Sequence, residues 1–440
     1  MTTRRDFMKS LTAAAAMAGV AGAPKFSFAQ QAGGKTFIKV FQRGGADGLH
    51  LFPLYGDDYY RIYRSGQRPG EGEDLRILPP GEDSTESAID LGNGMRGMNP
   101  NFGLLKEIWE TGNMMLAPAT AFAEANRSHF DCQRWIGTGA KNNLIDGYMN
   151  RYMQNVGGND HPLRGVVAGK TSISTEIRGE IPVAAVYNGS DYKLQNSDFC
   201  SGSGCADNRL TELMREISSH DVDLSATDLA VRETQLIMLD TITEVQAAGV
   251  DYTPNAGGLD YSNSSLGRGL RLCAQLIKAG VPLEVAALDW NIGWDTHSDQ
   301  IAKSNNPFTD QTKGYHRGLV EGARDFYVFY QDMGADMANV VVLCGSEFGR
   351  TKKQNGSLGT DHGVGGAWFA FGGPTQHGVA ADVSTIDDTV VDKNWLPSVT
   401  SYRNIVGEIM VRHMGMSEQL VSTIFPNHNF EDYSLFSRMS

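Results

Sequence analysis

Cysteine is scarce in this chain: five in 440 residues, at Cys132, Cys200, Cys205, Cys273 and Cys344. An odd and low count excludes a disulfide-built scaffold, and no C-x-x-C pair is present to hold a structural zinc. Cys200 and Cys205 bracket Ser-Gly-Ser-Gly, a tether loose enough for them to pair in an oxidising compartment. Two free thiols on a loop is the other reading. Basic charge is also short, with 38 Lys and Arg against 51 Asp and Glu, for a net charge of −13. No Lys/Arg cluster follows the first few residues, which argues against a nucleic-acid partner, because a phosphate backbone needs a concentrated basic surface. Long apolar runs are missing beyond the N-terminus. No later segment approaches the ~20 apolar residues of a membrane-spanning helix, so no integral span is expected in the mature chain. What is present, 41% apolar and 20% charged residues, is the balance of a folded globular chain.

The N-terminus reads Thr2-Thr3-Arg4-Arg5-Asp6-Phe7-Met8-Lys9, then an Ala-rich apolar segment from Leu11 to Ala23, then Ser27-Phe28-Ala29. A charged start, a short apolar stretch and a small-residue cleavage site make a signal peptide. The paired arginines followed by Phe and Lys resemble a twin-arginine signal, with an ordinary secretory signal as the alternative. The expectation is a signal over residues 1–29 and export by the twin-arginine translocase, the partner implied. A periplasmic or secreted location and one domain over 30–440 follow.

Short, non-alternating apolar runs at Lys35–Gln42, Met114–Ala119, Ile181–Tyr187, Leu283–Leu288, Val340–Leu343 and Trp368–Phe371 suit strands of a parallel sheet buried on both faces. Helical periodicity lies between them, at Ser264–Ala279, Thr309–Met337 and Ser401–Met414. Alternation of strand and helix predicts an α/β fold. Residues 140–263, rich in Asn, Gly, Ser and Asp, with a helical stretch at Leu224–Ala248, read as an insertion or cap over the sheet.

Open α/β sheets gather their ligand sites at the carboxyl ends of strands. Four loops in such positions carry acids or imidazoles. The first, Arg43-Gly44-Gly45-Ala46-Asp47-Gly48, presents Asp47, either as a donor or as a turn stabiliser. The second, Asn126-Arg127-Ser128-His129-Phe130-Asp131, opens a helix. Ser128 is there either an N-cap or a nucleophile, and His129 either a proton donor or a plain helix-start residue. The third, Gly293-Trp294-Asp295-Thr296-His297, sets Asp295 and His297 two apart, on one side of an extended backbone. Carboxylate plus imidazole suits zinc or manganese. The fourth runs Ser346-Glu347-Phe348-Gly349-Arg350-Thr351 and then Gly359-Thr360-Asp361-His362-Gly363, pairing Asp361 with His362 and offering Arg350 as a fork for an oxyanion. Asp47, Asp295, His297, Asp361 and His362 together approach the donor set of one or two divalent cations, with zinc, manganese, calcium and magnesium all open.

These motifs, in this order and behind a twin-arginine start, resemble a bacterial exported family known as domain of unknown function 1501, which sits with the alkaline-phosphatase and sulfatase-like superfamily. The resemblance implies a three-layer α/β sandwich with a mostly parallel central sheet and a metal site above it. It implies Asp47, Asp361 and His362 as metal ligands, with Asp295 and His297 toward a second ion and His377 as a further candidate. It implies Ser128 as nucleophile; in such a hydrolase Arg350, or Arg127, would hold the non-bridging oxygens of the substrate. The sulfatase pattern Cys/Ser-x-Pro-x-Arg is missing after Ser128, which disfavours a formylglycine sulfatase. The expected activity is metal-dependent hydrolysis of a small-molecule or polymer ester of phosphate or sulfate. The alternative is a non-catalytic, metal-containing binding or assembly protein of the cell envelope on the same fold.

Overall fold

A computed structural model describes residues 34–65, 74–83, 85–141, 144–158, 161–189, 214–216, 218, 226–249, 252–381 and 383–437. The expected signal segment 1–29 and the Cys200–Cys205 pair lie outside the described residues. The strands are β1 (Thr36–Gln42), β2 (Ile89–Asp90), β3 (Gly97–Met98), β4 (Met114–Ala121), β5 (Gly165–Ala168), β6 (Ala184–Val186), β7 (Val285–Asp289), β8 (Val340–Ser346), β9 (Gly366–Phe371), β10 (Gly378–Val379) and β11 (Thr400–Ser401). The short β2 and β3 pair with each other. The other nine form one sheet in the order β10-β4-β9-β8-β1-β7-β5-β6, with β11 also on β4.

Within this nine-stranded sheet pairing is parallel except where β9 meets β8 and β4. The apolar runs predict this burial, since β1, β4, β8 and β9 have no exposed position. One face of the sheet carries Ile38, Val40 and Val342 against Leu270, Leu319 and Phe326. Those partners come from helices Ser265–Lys278 and Gly314–Met333. The other face carries Phe37, Phe41 and Leu343 against Trp135, Tyr152, Ile405 and Ile424. The result is a three-layer α/β sandwich with a mostly parallel central sheet. Among the described residues no helix is long and apolar enough to cross a membrane.

The helix expected from Ser264 begins where its cap predicts, the Ser264 hydroxyl accepting from the Gly267 N–H at 2.9 Å. The long helix predicted over Thr309–Met337 is shorter, Gly314–Met333, and Gly334 ends it with φ at +51°. The reading of 140–263 as a cap needs correction. Its described residues include β5 and β6, which complete one side of the sheet, and helix Tyr148–Val156, whose Met149, Tyr152 and Met153 pack in the core. β5 is four residues long and lies in a Gly- and Asn-rich surround that reads as an insertion.

Candidate metal centre

The carboxyl ends of β1, β4, β7 and β8 point to the same edge of the sheet because these strands run alike. The amino end of β9, its direction reversed, reaches that edge too. Five loops far apart in sequence therefore meet there. Close approach depends on glycine. A Cβ on Gly45 (φ +68°) would lie 2.4 Å from the Phe348 ring, and one on Gly359 would lie 2.3 Å from the His297 carbonyl carbon.

At the meeting point the His362 imidazole stands between two others. His362 Nε2 lies 3.0 Å from His129 Nε2 and 3.0 Å from His297 Nε2. Asp295 closes the group, with Oδ1 3.2 Å from His362 Nε2 and 3.1 Å from His297 Nε2, and Oδ2 3.5 Å from His129 Nε2. The opposite nitrogen of each ring is anchored. His129 Nδ1 is 2.7 Å from Glu347 Oε1, His297 Nδ1 is 2.9 Å from Asp361 Oδ1, and His362 Nδ1 is 2.9 Å from the Arg127 carbonyl oxygen. Each anchor is an acceptor, so each Nδ1 is the donor and each neutral ring turns an Nε2 lone pair inward.

With Nε2 unprotonated, the nitrogen lone pairs and the carboxylate at this range repel unless a proton or a metal ion sits among them. A zinc–nitrogen bond of about 2.0–2.1 Å gives a tetrahedral edge of about 3.3 Å, and His362 Nε2 and Asp295 stand near that distance from His129 Nε2 and from His297 Nε2; the donor atoms of His129, Asp295 and His362 all lie within 4.8 Å of one another. His129, Asp295 and His362 thus form a group of imidazole and carboxylate donors that could hold a metal ion. The outer anchors complete the pattern in which a carboxylate or carbonyl orients each ligating histidine.

The ionisable groups of the cluster shift in different directions. The hydrogen bond to Glu347 pushes the His129 imidazole above its ordinary range, and burial pushes His362 below its own. Burial works against the charged form of Asp295, but the hydrogen bond and charge of Arg350 outweigh it and hold the carboxyl below the usual range.

The residues expected from sequence separate into three groups. Asp295, His297 and His362 stand in the cluster. Asp361 stands behind it, orienting His297 with its Oδ1. Asp47 is elsewhere, and the expectation that it is a ligand needs correction. Its side chain is 1% exposed and fully engaged, with Arg64 Nη1 at 2.5 Å, Arg64 Nη2 at 2.8 Å and Gln300 Nε2 at 2.9 Å, while it also caps the short helix Gly48–Leu51. Arg350 needs the same correction. Its guanidinium is buried and donates to the carbonyls of Gly44, Gly45, Trp294 and Thr360 and to Asp295, so it ties the loops together instead of facing a substrate.

Arg127 adopts φ +66°, meets His362 through its backbone carbonyl, and lays its guanidinium 4.3 Å from the centre of the Trp395 ring. The Ser128 hydroxyl accepts from the Asp131 N–H at 3.4 Å and caps helix His129–Thr138, one residue from the His129 ligand position. His377 is at the other edge of the sheet, against the Met114 carbonyl and the Trp109 ring.

Sequence reasoning missed His129 as a member of the cluster and gave Glu347 no role. The signal for His129 was its place on a strand-end loop, which the neighbouring serine overshadowed. Glu347 immediately follows β8, but a single buried acid has no spacing to mark it.

The solved structures to which the chain is similar include Ps i-CgsB in complex with k-i-k-neocarrahexaose, at 9% identity and TM-score 0.34 over 80% of this chain and 69% of that one. The lipoteichoic acid synthase LtaP from Listeria monocytogenes is similar at 10% identity and TM-score 0.30, over 87% and 76%. The alkaline phosphatase from the Antarctic bacterium TAB5 is similar at 12% identity and TM-score 0.27, over 79% and 94%. No curated protein matches the sequence. Residues 212–420, which carry Asp295, His297, Glu347, Arg350, Asp361 and His362, match the model of the family described as "Protein of unknown function (DUF1501)".

Proposed function

We propose that the protein is an exported, cation-dependent hydrolase of phosphate or sulfate esters that uses Ser128 as its nucleophile. The observation that carries this reading is the gathering of His129, Asp295 and His362, their donor atoms within 4.8 Å of one another, at the carboxyl edge of the sheet, with His297 Nε2 3.0 Å from His362 Nε2 and Ser128 next to His129 in the chain. His129, His297, His362 and Asp295 would hold the cation. Such an ion, when bound, supplies positive charge to an ester oxygen and lowers the pKa of a nearby hydroxyl.

Ser128 sits at the start of a ten-residue helix, where backbone N–H groups favour an anion. Arg127 precedes it in the chain and would hold a non-bridging oxygen of the ester. The Ser128 oxygen would bond to phosphorus or sulfur as the bond to the leaving oxygen breaks, and water would later release the acid. The N-terminal arginine pair supports export by the twin-arginine route to the periplasm or beyond.

The test is hydrolysis of an aryl phosphate and an aryl sulfate by the purified, cation-loaded protein. Ser128→Ala should abolish turnover and leave the cation content unchanged. Full turnover in that variant removes Ser128 from the mechanism.

One observation favours a second reading, a non-catalytic metal-containing binding or assembly protein of the envelope. Four side chains can fill all four positions of a tetrahedral ion, as in structural sites, whereas catalytic zinc keeps one position open. A cation-loaded protein with no turnover on either ester, whose ion does not exchange with added isotope, favours that reading.

A further inference from the structure

We propose that Glu347 is the positioning residue that sets the affinity of the cation centre, acting through His129. This deepens the cation-centre reading above and rests on it. Glu347 follows β8 directly, and its side chain is 0% exposed. Its Oε1 accepts from His129 Nδ1 at 2.7 Å, from Gln133 Nε2 at 2.8 Å and from the Gly44 N–H at 2.9 Å. Its Oε2 takes the Ser346 hydroxyl at 2.8 Å and the Gly44 N–H again at 3.1 Å. One carboxylate thus fastens the loop after β1, the helix that begins at His129, and the end of β8.

Four of these five contacts come from neutral donors. Neither Lys nor Arg bonds to this carboxylate among the described contacts, although a buried carboxylate is costly without an opposite charge. Among the described residues His129 is the one ionisable group hydrogen-bonded to it, and the far nitrogen of that ring points into the cluster. The arrangement has charge balance when a proton or a metal ion stands at the other end of the imidazole. The carboxylate then fixes the ring's tautomer and raises its basicity toward the ion.

The other two anchors are weaker by construction. Asp361, which orients His297, is 59% exposed, so water already screens its charge. His362 leans on a neutral backbone carbonyl. The three histidines are therefore unequal, and His129 is the one under the strongest control.

The test is competition for zinc against a chromogenic chelator, on the full purified chain, for the wild type, Glu347→Gln and Asp361→Asn. Glu347→Gln should weaken zinc binding about 10- to 100-fold, with Asp361→Asn weakening it less. The thermal midpoint of the zinc-free Glu347→Gln chain should match or exceed the wild type, because a buried charge has been removed. Zinc affinity within twofold of wild type in Glu347→Gln, or a larger loss in Asp361→Asn, overturns the proposal.

A second measurement covers failure of the Glu347→Gln chain to fold. In ¹H–¹⁵N spectra of the zinc-loaded wild type, His129 should appear protonated at Nδ1 and ligated at Nε2. Ligation through Nδ1 overturns the proposal equally. A wild-type chain that binds no zinc overturns instead the cation centre beneath it, so the two failures are distinct.

Discussion

His297 and His362 set their Nε2 atoms 3.0 Å apart although 65 positions separate them in the chain. That distance is too short for two unprotonated nitrogens to face each other without a charge between them. Cation binding to the folded chain alone should therefore stabilise it, by about 2.7 kcal/mol at a concentration one hundred times the dissociation constant. His362 touches both other rings, so His362→Ala should erase the stabilisation. Thermal melts with and without zinc check this, and an equal zinc-induced rise in the variant would count against the cluster.

Asp47 belongs to a buried ion pair with Arg64, not to the cation centre. Asp47→Asn should leave the cation content per chain at the wild-type value. It should cost about 3–5 kcal/mol of stability, because it strands a buried guanidinium. Metal analysis and denaturant melts on the same preparation check both halves. Loss of the ion from a chain that remains folded would restore Asp47 as a ligand.

Arg350 joins the loops after β1 and β7 to its own loop, through the carbonyls of Gly44, Gly45, Trp294 and Thr360. Arg350→Ala leaves those carbonyls short of donors and the Asp295 carboxylate without its partner. A loss of at least about 3 kcal/mol is expected, and the cation affinity should fall with it. Zinc titration and urea unfolding check this. A variant of wild-type stability with a raised KM alone would return Arg350 to the role of substrate contact.

Glu408 gives a pH dependence independent of the cation. Burial pushes its carboxyl from 4.5 to about 7, against the pull of backbone N–H groups of Tyr433 and Leu435 that bond to it. A carboxyl whose folded pKa is raised binds its proton more tightly in the folded state. Its contribution to stability is thus fully present below pH 4.5 and lost as the pH rises through about 7. Glu408→Gln should gain on the order of 2 kcal/mol over wild type between pH 5 and pH 8. Urea melts at both values check the difference, and parallel curves for the two chains would contradict it.

The architecture was legible because burial on both faces writes itself into sequence as short apolar runs. Six such runs coincide with β1, β4, β6, β7, β8 and β9. The two-residue strands β10 and β11 carry too few side chains to leave a pattern, and the apolar Gly165–Ala168 of β5 lies in a Gly- and Asn-rich surround that reads as an insertion. In the cluster, Asp295, His297 and His362 were legible from residue type and strand-end position. Spacing alone could not separate a donor that faces the ion from one that faces an arginine or a neighbouring ring. Asp47 and Asp361 show this: each sits in a Gly-rich loop beside a strand, yet Arg64 takes the first and His297 the second. Which partner an acid meets is decided by long-range packing. Arg64, buried on a helix 17 residues from Asp47, gives no local sign of its role.

The most direct measurement is an anomalous-difference map at the zinc edge, from crystals grown with the ion. The account requires one strong peak about 2.0–2.1 Å from the Nε2 atoms of His129, His297 and His362 and in contact with the Asp295 carboxylate. A peak bound by Asp47, a peak reached through an Nδ1 nitrogen, or three empty imidazoles in a zinc-soaked crystal would contradict it.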